Sequence, residues 1–176
     1  MKARIRMVMV LLAGWFFKLR WKSVLSIKDR IVVFDIDNTI GNTWPTLNRE
    51  YKSETRRYMN IEIFPRVRKI LESYVAAKFH VVFLSARPYR SFYITNKWLK
   101  KNGISHYTLI LVPTAQYKIE YLSIINRETD YFDDLSWNHE NGHVRFYDDV
   151  IDEVKRMRFV KHYDYEYLLR CRNEND

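Results

Sequence analysis

The sequence predicts an α/β fold in which a mostly parallel central sheet lies between layers of helices. Two observations predict it. Short apolar runs rich in β-branched residues and phenylalanine recur along the chain, and segments with the periodicity of amphipathic helices separate them. This alternation is typical of parallel sheets, because the helices that connect parallel strands cover the faces of the sheet. The chain has 176 residues, of which 47% are hydrophobic, and this is enough for one domain with a substantial core.

The first strand is expected over residues 31–36, a β-branched run that ends in polar turn residues. Residues 40–60 are polar and are expected to be irregular. A helix is expected over residues 65–78, because Pro65 suits the first turn of a helix and the apolar residues that follow share one face. Residues 80–85, "HVVFLS", predict a second buried strand.

The second half of the chain continues the alternation. Residues 91–103 predict a helix with basic residues in its last turn and Gly103 at its end. A third strand is expected over residues 107–113, and a helix over residues 115–126. Residues 129–134, "TDYFDD", predict a short fourth strand.

The C-terminal part of the chain completes the sheet. A helix is expected over residues 148–157, because acids favour a helix N-terminus and the apolar residues share a face. Residues 158–165 are expected to supply a last strand. The whole pattern predicts a three-layer, Rossmann-like arrangement.

Charge divides the chain into two parts. Residues 1–30 contain eight basic residues and one acidic residue, a net charge of +7, whereas the whole chain carries +9. The remaining residues therefore do not predict a nucleic-acid-binding body, which would spread basic side chains over one face. We expect a basic, apolar N-terminal segment over residues 1–28 and a folded domain over residues 29–176.

The apolar run at residues 7–17, "MVMVLLAGWFF", has three interpretations. Eleven residues cannot span a bilayer as a helix, which needs about 20. The run could lie as an interfacial helix on an anionic membrane, with Trp15 and Trp21 near a basic rim. It could instead pack against the domain or a second subunit. A signal peptide is the third interpretation, but positive charge returns where a cleavage site should follow.

Cysteine content indicates the compartment. Cys171 is the only cysteine, so the chain cannot form an internal disulfide, which fits a reducing environment. The sequence therefore predicts a cytoplasmic protein, with the N-terminal segment as a potential peripheral contact with the inner face of the membrane.

Reactive residue types follow the predicted strands at their carboxyl ends, where ligands bind in parallel α/β sheets. The candidates are Asp35 and Asp37 after the first strand, Ser85 and Arg87 after the second, Asp133 and Asp134 after the fourth, and Lys118 in the helix after the third. Two carboxylates two residues apart repel each other, so their pairing needs a cation or a reaction that uses both. This pattern predicts a phosphoryl-transfer site with a metal ion and an aspartate nucleophile.

Four segments of the chain resemble the motifs of the haloacid dehalogenase superfamily of phosphatases and phosphotransferases. "VVFDIDNT", ending at Thr39, resembles the first motif, Asp-x-Asp-x-Thr after an apolar strand. "VVFLSAR" resembles the second motif, Lys118 stands where the third motif has its lysine, and "YFDD" resembles the fourth. The matches span residues 31–134 in the family's order.

The resemblance implies a role for each residue. Asp35 would attack phosphorus and form an aspartyl-phosphate, and Asp37 would act as the general acid and base. Mg²⁺ would be held by Asp35, the Asp37 carbonyl and an acid of the fourth motif, Asp133 or Asp134. A phosphorylated substrate would be bound by the residues Thr39, Ser85, Arg87 and Lys118.

The fourth motif has a competing candidate in Asp148 and Asp149. That pair begins a predicted helix, where acids are expected for another reason, so we favour Asp133 and Asp134. Asn138 could hold the acidic side chains in place. The segment "HENGH", residues 139–143, matches a zinc pattern that works only on a helix, and Asn-Gly favours a turn, so we expect no zinc there.

Substrate choice in this family depends on cap insertions, and neither gap between the motifs is long enough for a cap domain. The chain therefore resembles capless members, whose open sites accept large phosphorylated substrates. Candidate residues for the mouth of the site are Trp44, Arg49, Tyr51, Arg87 and Arg90, and Arg87 suits a second anionic group.

The sequence thus predicts a Mg²⁺-dependent phosphomonoesterase. A lipid-linked or glycosyl phosphate, such as a surface-polysaccharide precursor, would fit an open site beside a membrane-binding segment. Two alternatives are a phosphotransferase on the same residues and a non-catalytic, membrane-associated scaffold. The sequence does not predict an oligomeric state.

Overall fold

A computed structural model describes residues 2–173, and over them the chain forms one α/β fold. Its central sheet has five strands, and every neighbouring pair is parallel. The expected three-layer, Rossmann-like class is confirmed. The side chains of Lys2, Arg4 and Arg6, which contribute to the basic N-terminal segment, lie outside the described part of the chain.

The elements have the following bounds. The strands are β1 (Ile31–Phe34), β2 (Gly41–Asn42), β3 (Glu62–Ile63), β4 (His80–Ser85), β5 (Tyr107–Leu111), β6 (Thr129–Phe132), β7 (Ser136–Trp137), β8 (Arg145–Phe146) and β9 (Val160–Tyr163). The helices are α1 (Lys2–Leu25), α2 (Trp44–Leu47), α3 (Glu54–Met59), α4 (Pro65–Ala76), α5 (Phe92–Lys101), α6 (Tyr117–Leu122), α7 (Asp148–Lys155) and α8 (Tyr165–Asn173).

The sheet order places the ends of three motif strands side by side. The order is β5-β4-β1-β6-β9, so β1 lies at the centre between β4 and β6. Phe34, the last residue of β1, pairs with Phe83 of β4 and Phe132 of β6. The residues that follow these positions therefore meet at one edge of the sheet, which we call the carboxyl edge.

Helices cover both faces of this sheet. Because crossovers between parallel strands are right-handed, this strand order puts α4 and α5 on one face and α6 and α7 on the other. In agreement, α6 packs against α7, and α4 packs against α8. The central strand β1 is continuously apolar, and β4 is apolar between His80 and Ser85, because both faces of these strands are buried. Phe34 stacks on Phe132 with ring centroids 4.5 Å apart, which anchors the centre of the core.

All five predicted strands of the central sheet are present, and each predicted helix after residue 60 lies where the pattern placed it. The expectation that residues 40–60 are irregular was wrong, because α2 and α3 form there between the paired strands β2 and β3. These helices are four and six residues long, too short for a periodic pattern to show. Ser53 caps α3 by accepting a hydrogen bond from Arg56 N.

The N-terminal helix α1 joins the core through its second half. Phe17, Trp21 and Val24, on one face of the helix, are buried, and Trp21 packs edge-on against Tyr121 of α6. The core therefore extends across the boundary expected at residue 28. Within the described residues, the length and apolar character needed to cross a bilayer are not found together in any helix.

Candidate active site

The loop after β1 presents the first pair of acids. The backbone of Asp35 still pairs with the sheet, since its N–H donates to the Phe132 carbonyl at 2.8 Å. The chain then turns at Asn38, which has a left-handed backbone with φ of 54°. The Asn38 side chain accepts a hydrogen bond from Thr43 Oγ1 at 2.6 Å. Asp35 is buried at the end of the strand, whereas the Asp37 side chain is 35% exposed.

Lys118 joins the first and fourth motifs. Its Nζ lies 2.5 Å from Asp133 Oδ2 and 3.0 Å from Asp35 Oδ1, and all three side chains are buried. Asp133 also accepts hydrogen bonds from the Tyr131 hydroxyl and from Leu135 N. The two oxygens of Asp133 are therefore already engaged by the protein.

The backbone after the fourth motif is held in a costly conformation. Leu135 is buried and has a left-handed φ of 44°, which costs about 1–2 kcal/mol for a residue with a side chain. This turn lets Leu135 N donate to Asp133 Oδ1 at 2.9 Å. Such strain at the end of a strand is typical of functional sites.

Three buried carboxylates share one lysine. Oxygen atoms of Asp35, Asp133 and Asp134 lie within 4.8 Å of one another, so the cluster could hold a metal ion. With all three acids ionised, Lys118 leaves a net charge of −2, which one divalent cation would offset. The cluster fits a cation for a second reason: Asp35 Oδ1 is buried, and its ion pair with Lys118 Nζ at 3.0 Å leaves it with capacity to accept a further contact.

The surroundings of Asp35 disfavour its charge when no metal is bound. Burial raises the pKa of Asp35 most strongly, Lys118 opposes that rise, and the neighbouring acids add to it, so the pKa is about 8. Burial opposes the charge on Lys118 as well, but Asp133 and Asp35 outweigh it and raise the pKa of the lysine. Lys118 therefore stays protonated. Without a metal, Asp35 is also largely protonated at neutral pH.

Asp134 contacts Ser136 and His139, which the sequence analysis did not assign to the site, and Thr39, which it did. The Ser136 hydroxyl donates to Asp134 and also lies 2.6 Å from His139 Nε2. His139 is buried, its Nε2 is 3.7 Å from Asp134 Oδ2, and the Trp44 ring packs edge-on against it. The backbone N–H of Asp134 donates to Thr39 Oγ1 at 3.3 Å. A buried histidine three residues after a serine carries no signal that distinguishes it in one sequence.

Asn138 does not fulfil its expected role. Its side chain donates to the His143 carbonyl and accepts from Asn141 Nδ2, so it stabilises its own loop and contacts neither acid of the fourth motif. Residues 139–143 form a tight turn with Gly142 in a left-handed conformation. His139 is buried and His143 is exposed, so the two rings do not share a face.

Ser85 ends the strand next to β1, two residues beyond the pair formed by Phe83 and Phe34. Its hydroxyl is fully buried and has no hydrogen-bond partner among the described residues. Leaving a buried polar group unpaired costs about 1–3 kcal/mol. An unpaired hydroxyl at the carboxyl edge is therefore a candidate donor to a bound ligand.

Asp37 is paired with Arg87 in a bidentate ion pair. Arg87 Nε donates to Asp37 Oδ2 at 2.7 Å, and Nη2 donates to Oδ1 at 2.6 Å. Burial works to raise the pKa of Asp37, but the charge and hydrogen bonds of Arg87 outweigh it and hold the pKa below its usual value. The Asp37 side chain remains 35% exposed, so a ligand can still reach it.

The position of Arg87 differs from the one expected at the mouth of the site. Its guanidinium is buried, donates to Thr95 Oγ1 as well as to Asp37, and lies over the Tyr58 ring at 4.4 Å. It therefore has little capacity left for a second anionic group of a substrate. The spacing in the sequence correctly indicated that Arg87 lies near Ser85. It could not show that the Arg87 guanidinium forms an ion pair with Asp37.

The other candidates for the mouth of the site differ in exposure, and one of them, Tyr51, is half-buried. Trp44 lies beside His139 and borders the acidic cluster, whereas Arg49 and Arg90 are exposed. The competing acids Asp148 and Asp149 are exposed in the first turn of α7. They do not belong to the cluster formed by the acids of the first and fourth motifs.

A cleft of about 490 Å³ lies next to the cluster and shares Asp134 with it. Aromatic residues Phe146 and Tyr165 line part of this cleft, and Asp148 and Asp164 line another part. The acidic lining disfavours further negative charge on a bound molecule. The cleft can therefore take the uncharged part of a ligand whose anionic group lies at the carboxyl edge.

Comparison with known proteins gives a likeness of fold. No protein-family model and no curated protein matches the sequence. Among solved structures, the chain is similar to one in the Pnkp1/Rnl/Hen1 RNA repair complex, with a TM-score of 0.53 and 16% identity. The match covers 78% of this chain and 43% of the other, so the chain spans less than half of that protein's length. At this identity the likeness shows the fold alone.

Proposed function

We propose that the chain is a Mg²⁺-dependent phosphatase of the haloacid dehalogenase type, which hydrolyses a phosphomonoester through an aspartyl-phosphate. The observation that carries this proposal is the buried group of Asp35, Asp133, Asp134 and Lys118 at one edge of the sheet. It combines three buried carboxylates, a shortage of positive charge and one fixed cation, Lys118. A purely structural cluster would be expected to pair these groups with one another.

Mg²⁺ is the proposed ion because all three donors are hard carboxylate oxygens. Asp35 and Asp134 are the proposed direct ligands, since Asp133 is already engaged by Lys118, Tyr131 and Leu135. When bound, the ion would offset the charge on the phosphoryl group and let a carboxylate approach it.

The remaining steps belong to residues of the chain. An oxygen of Asp35 attacks phosphorus as the bond from phosphorus to the leaving oxygen breaks, and Asp37 supplies the proton that this oxygen needs. Lys118, which contacts Asp35, and the Ser85 hydroxyl, which is buried without a hydrogen-bond partner among the described residues, are the proposed donors to phosphoryl oxygens. Water then attacks the aspartyl-phosphate, gives its proton to Asp37 and releases phosphate.

The direct test is hydrolysis of an aryl phosphate with and without Mg²⁺. We expect turnover only with the metal, and a loss of about 10²-fold or more in Asp35→Asn, which keeps the size of the side chain but removes the nucleophile. Asp149→Asn is the matched control, because Asp149 is exposed and outside the cluster. Activity that persists in Asp35→Asn would overturn the nucleophile assignment.

The natural substrate requires a panel of phosphomonoesters. The panel should include a sugar phosphate and a phosphorylated lipid, because residues 2–173 form no large cap domain over the site. It should also include an RNA oligonucleotide with a terminal phosphate, because the similar chain belongs to an RNA repair complex. Addition of an alcohol separates hydrolysis from phosphoryl transfer, since a transferase would give the alcohol phosphate.

A further inference from the structure

Residues 7–12 of α1 form an exposed apolar surface. Residues 7–12, which we call the α1 tip, are six consecutive apolar residues, and each is between 46% and 66% exposed. Six residues of a helix point in all directions around its axis. A helix that is apolar all round is stable when something apolar surrounds it, and the described part of the chain does not surround the tip.

The second half of α1 is fixed to the domain. Phe17 stacks on Tyr89 with centroids 5.3 Å apart and contacts Phe92 edge-on at 5.5 Å. Lys18 forms an ion pair with Glu120 at 2.9 Å. The tip is therefore the end of a continuous helix whose base belongs to the core, and its position relative to the domain is set by that base.

The direction of α1 places the tip at the carboxyl edge of the sheet. The helix ends near the opposite edge, where Arg127, two residues before β6, donates to the Leu25 carbonyl at 2.5 Å. Phe17 lies at the level of Tyr89, four residues after Ser85 at the end of β4. The helix thus runs antiparallel to the strands, and the tip projects on the same side as the candidate active site.

Charge favours an anionic partner for this surface. Residues 2–25 contain six basic residues and no acidic residue. The apolar surface continues from the tip to Trp15, which is exposed and precedes the basic residues Lys18 and Lys22. Tryptophan and basic side chains at the border of an apolar segment are typical of the interface of a membrane. A second copy of the chain would instead bring two positively charged helices together.

We propose that the α1 tip inserts into the surface of an anionic membrane and turns the active-site edge of the sheet toward the lipid. The tip extends about 9 Å along the helix axis, so it enters the interface without crossing the bilayer. Arrival at a membrane follows from the exposed apolar tip and the basic residues alone. The further conclusion, that the phosphatase acts on a phosphomonoester carried in the membrane, rests on the proposed function.

Vesicle sedimentation of the full-length protein tests the docking surface. We expect binding to phosphatidylcholine vesicles that contain phosphatidylglycerol, and weak binding to phosphatidylcholine alone. Leu11→Glu should weaken binding about tenfold or more, because it replaces apolar area with a charge that the anionic surface repels. Val75→Glu is the matched control: Val75 is also exposed, lies on α4 in another layer of the fold, and should leave binding unchanged.

Several results would overturn this proposal. Equal binding by wild type and Leu11→Glu would show that the tip is not the contact, and equal binding to both vesicle types would show that charge is not used. Sedimentation velocity without lipid provides a further test. A dimer that Leu11→Glu dissociates would assign the tip to a second copy of the chain.

The orientation of the active-site edge toward the membrane is tested by comparing a soluble substrate with one held in vesicles. We expect Leu11→Glu to hydrolyse a soluble aryl phosphate like wild type, but to lose about tenfold in turnover of a phosphorylated lipid held in anionic vesicles. Equal loss on both substrates, or no loss on either, would reject the orientation. If wild type binds vesicles but hydrolyses neither substrate, the proposed function fails and the docking surface stands.

Discussion

The two acids of the first motif lie two residues apart, yet their environments shift their pKa values in opposite directions. Asp35 is buried among other carboxylates, which raises its pKa to about 8, whereas Arg87 holds the pKa of Asp37 below its usual value. Pairs of titratable groups that are separated in this way are typical of sites where each group has a different task. In the free protein at neutral pH, Asp37 is the ionised member of the pair.

The ion pair between Asp37 and Arg87 predicts a pH dependence. A general acid must be protonated, so hydrolysis of an alkyl phosphate, whose leaving group needs a proton, should fall as pH rises through the low pKa of Asp37. Arg87→Gln removes the charge that lowers this pKa, so the fall should move to higher pH. The measurement is kcat/KM against pH for an alkyl and an aryl phosphate.

Arg90→Gln is the control for this prediction, because Arg90 is exposed and only three residues away. It should leave the pH profile in place. An unshifted profile in folded Arg87→Gln would show that Asp37 does not donate the proton.

His139 predicts an effect on metal affinity. His139 contacts Ser136, whose hydroxyl donates to Asp134, a proposed metal ligand. His139→Ala should therefore leave the Asp134 carboxylate less firmly positioned. Loss of such a supporting group typically costs about 10–100-fold in metal affinity or activity. We therefore expect the Mg²⁺ concentration for half-maximal activity to rise, with a smaller change in turnover at saturating Mg²⁺.

His143→Ala is matched to this change, because His143 lies in the same loop and is exposed. It should behave like wild type in the same Mg²⁺ titration. If the two alanine variants have the same Mg²⁺ dependence, His139 does not support the metal site.

At the scale of elements, two properties decided which parts of the fold could be predicted from the sequence: the periodicity of the apolar residues and the length of the helix or strand. Buried strands such as β4 and longer amphipathic helices such as α4 carry a local pattern, and their bounds agree with the expected ranges to within a few residues. The helices α2 and α3 have no room for such a pattern. Residues 7–17 of α1 are continuously apolar, so the sequence did not indicate which of them would be buried.

The two tryptophans of α1 predict different contributions to stability. Trp21 is buried against Tyr121, so Trp21→Ala should lower the free energy of unfolding by about 3–5 kcal/mol. Trp15 lies on the same helix but is exposed, so Trp15→Ala should change the free energy of unfolding by about 0.5 kcal/mol or less. Urea unfolding measures both. Equal effects would mean that α1 does not pack on the domain as described.

At the scale of the whole molecule, the charges are segregated. Positive charge is concentrated in the N-terminal part of the chain, while the cluster at the carboxyl edge and the cleft beside it are lined by acids. A divalent cation is therefore attracted to the cluster, and an anionic surface is attracted to α1. The two proposals use different parts of this distribution, so each can be tested separately.

Metal binding should stabilise the whole fold, and more so as pH rises. The pKa of Asp35 is raised from 3.8 to about 8, so its contribution to metal-free stability is complete below 3.8 and is lost as pH rises through about 8. Mg²⁺ offsets the charge that causes this loss. At a hundredfold excess over Kd, Mg²⁺ should add about 2.7 kcal/mol and raise Tm by roughly 5–11 °C.

Calorimetry with and without a chelator checks this expectation at several pH values. Asp134→Asn removes a proposed ligand and should abolish the Mg²⁺ effect, whereas Asp149→Asn should retain it. A Tm that does not respond to Mg²⁺ in wild type would contradict the assignment of the cluster as a metal site.

Local patterns in the sequence were enough to predict the class of fold and the strand ends at which acids, a serine and a lysine would meet. This was possible because alternating strands and helices are local patterns, and parallel strands bring their carboxyl ends to one edge. Tertiary structure decided which of these groups pair. Arg87 and Asp37 are 50 residues apart in sequence, and only the packed structure shows that they form an ion pair. Packing likewise placed His139 beside Asp134 and divided α1 into a buried base and an exposed tip, because burial depends on what the rest of the chain covers.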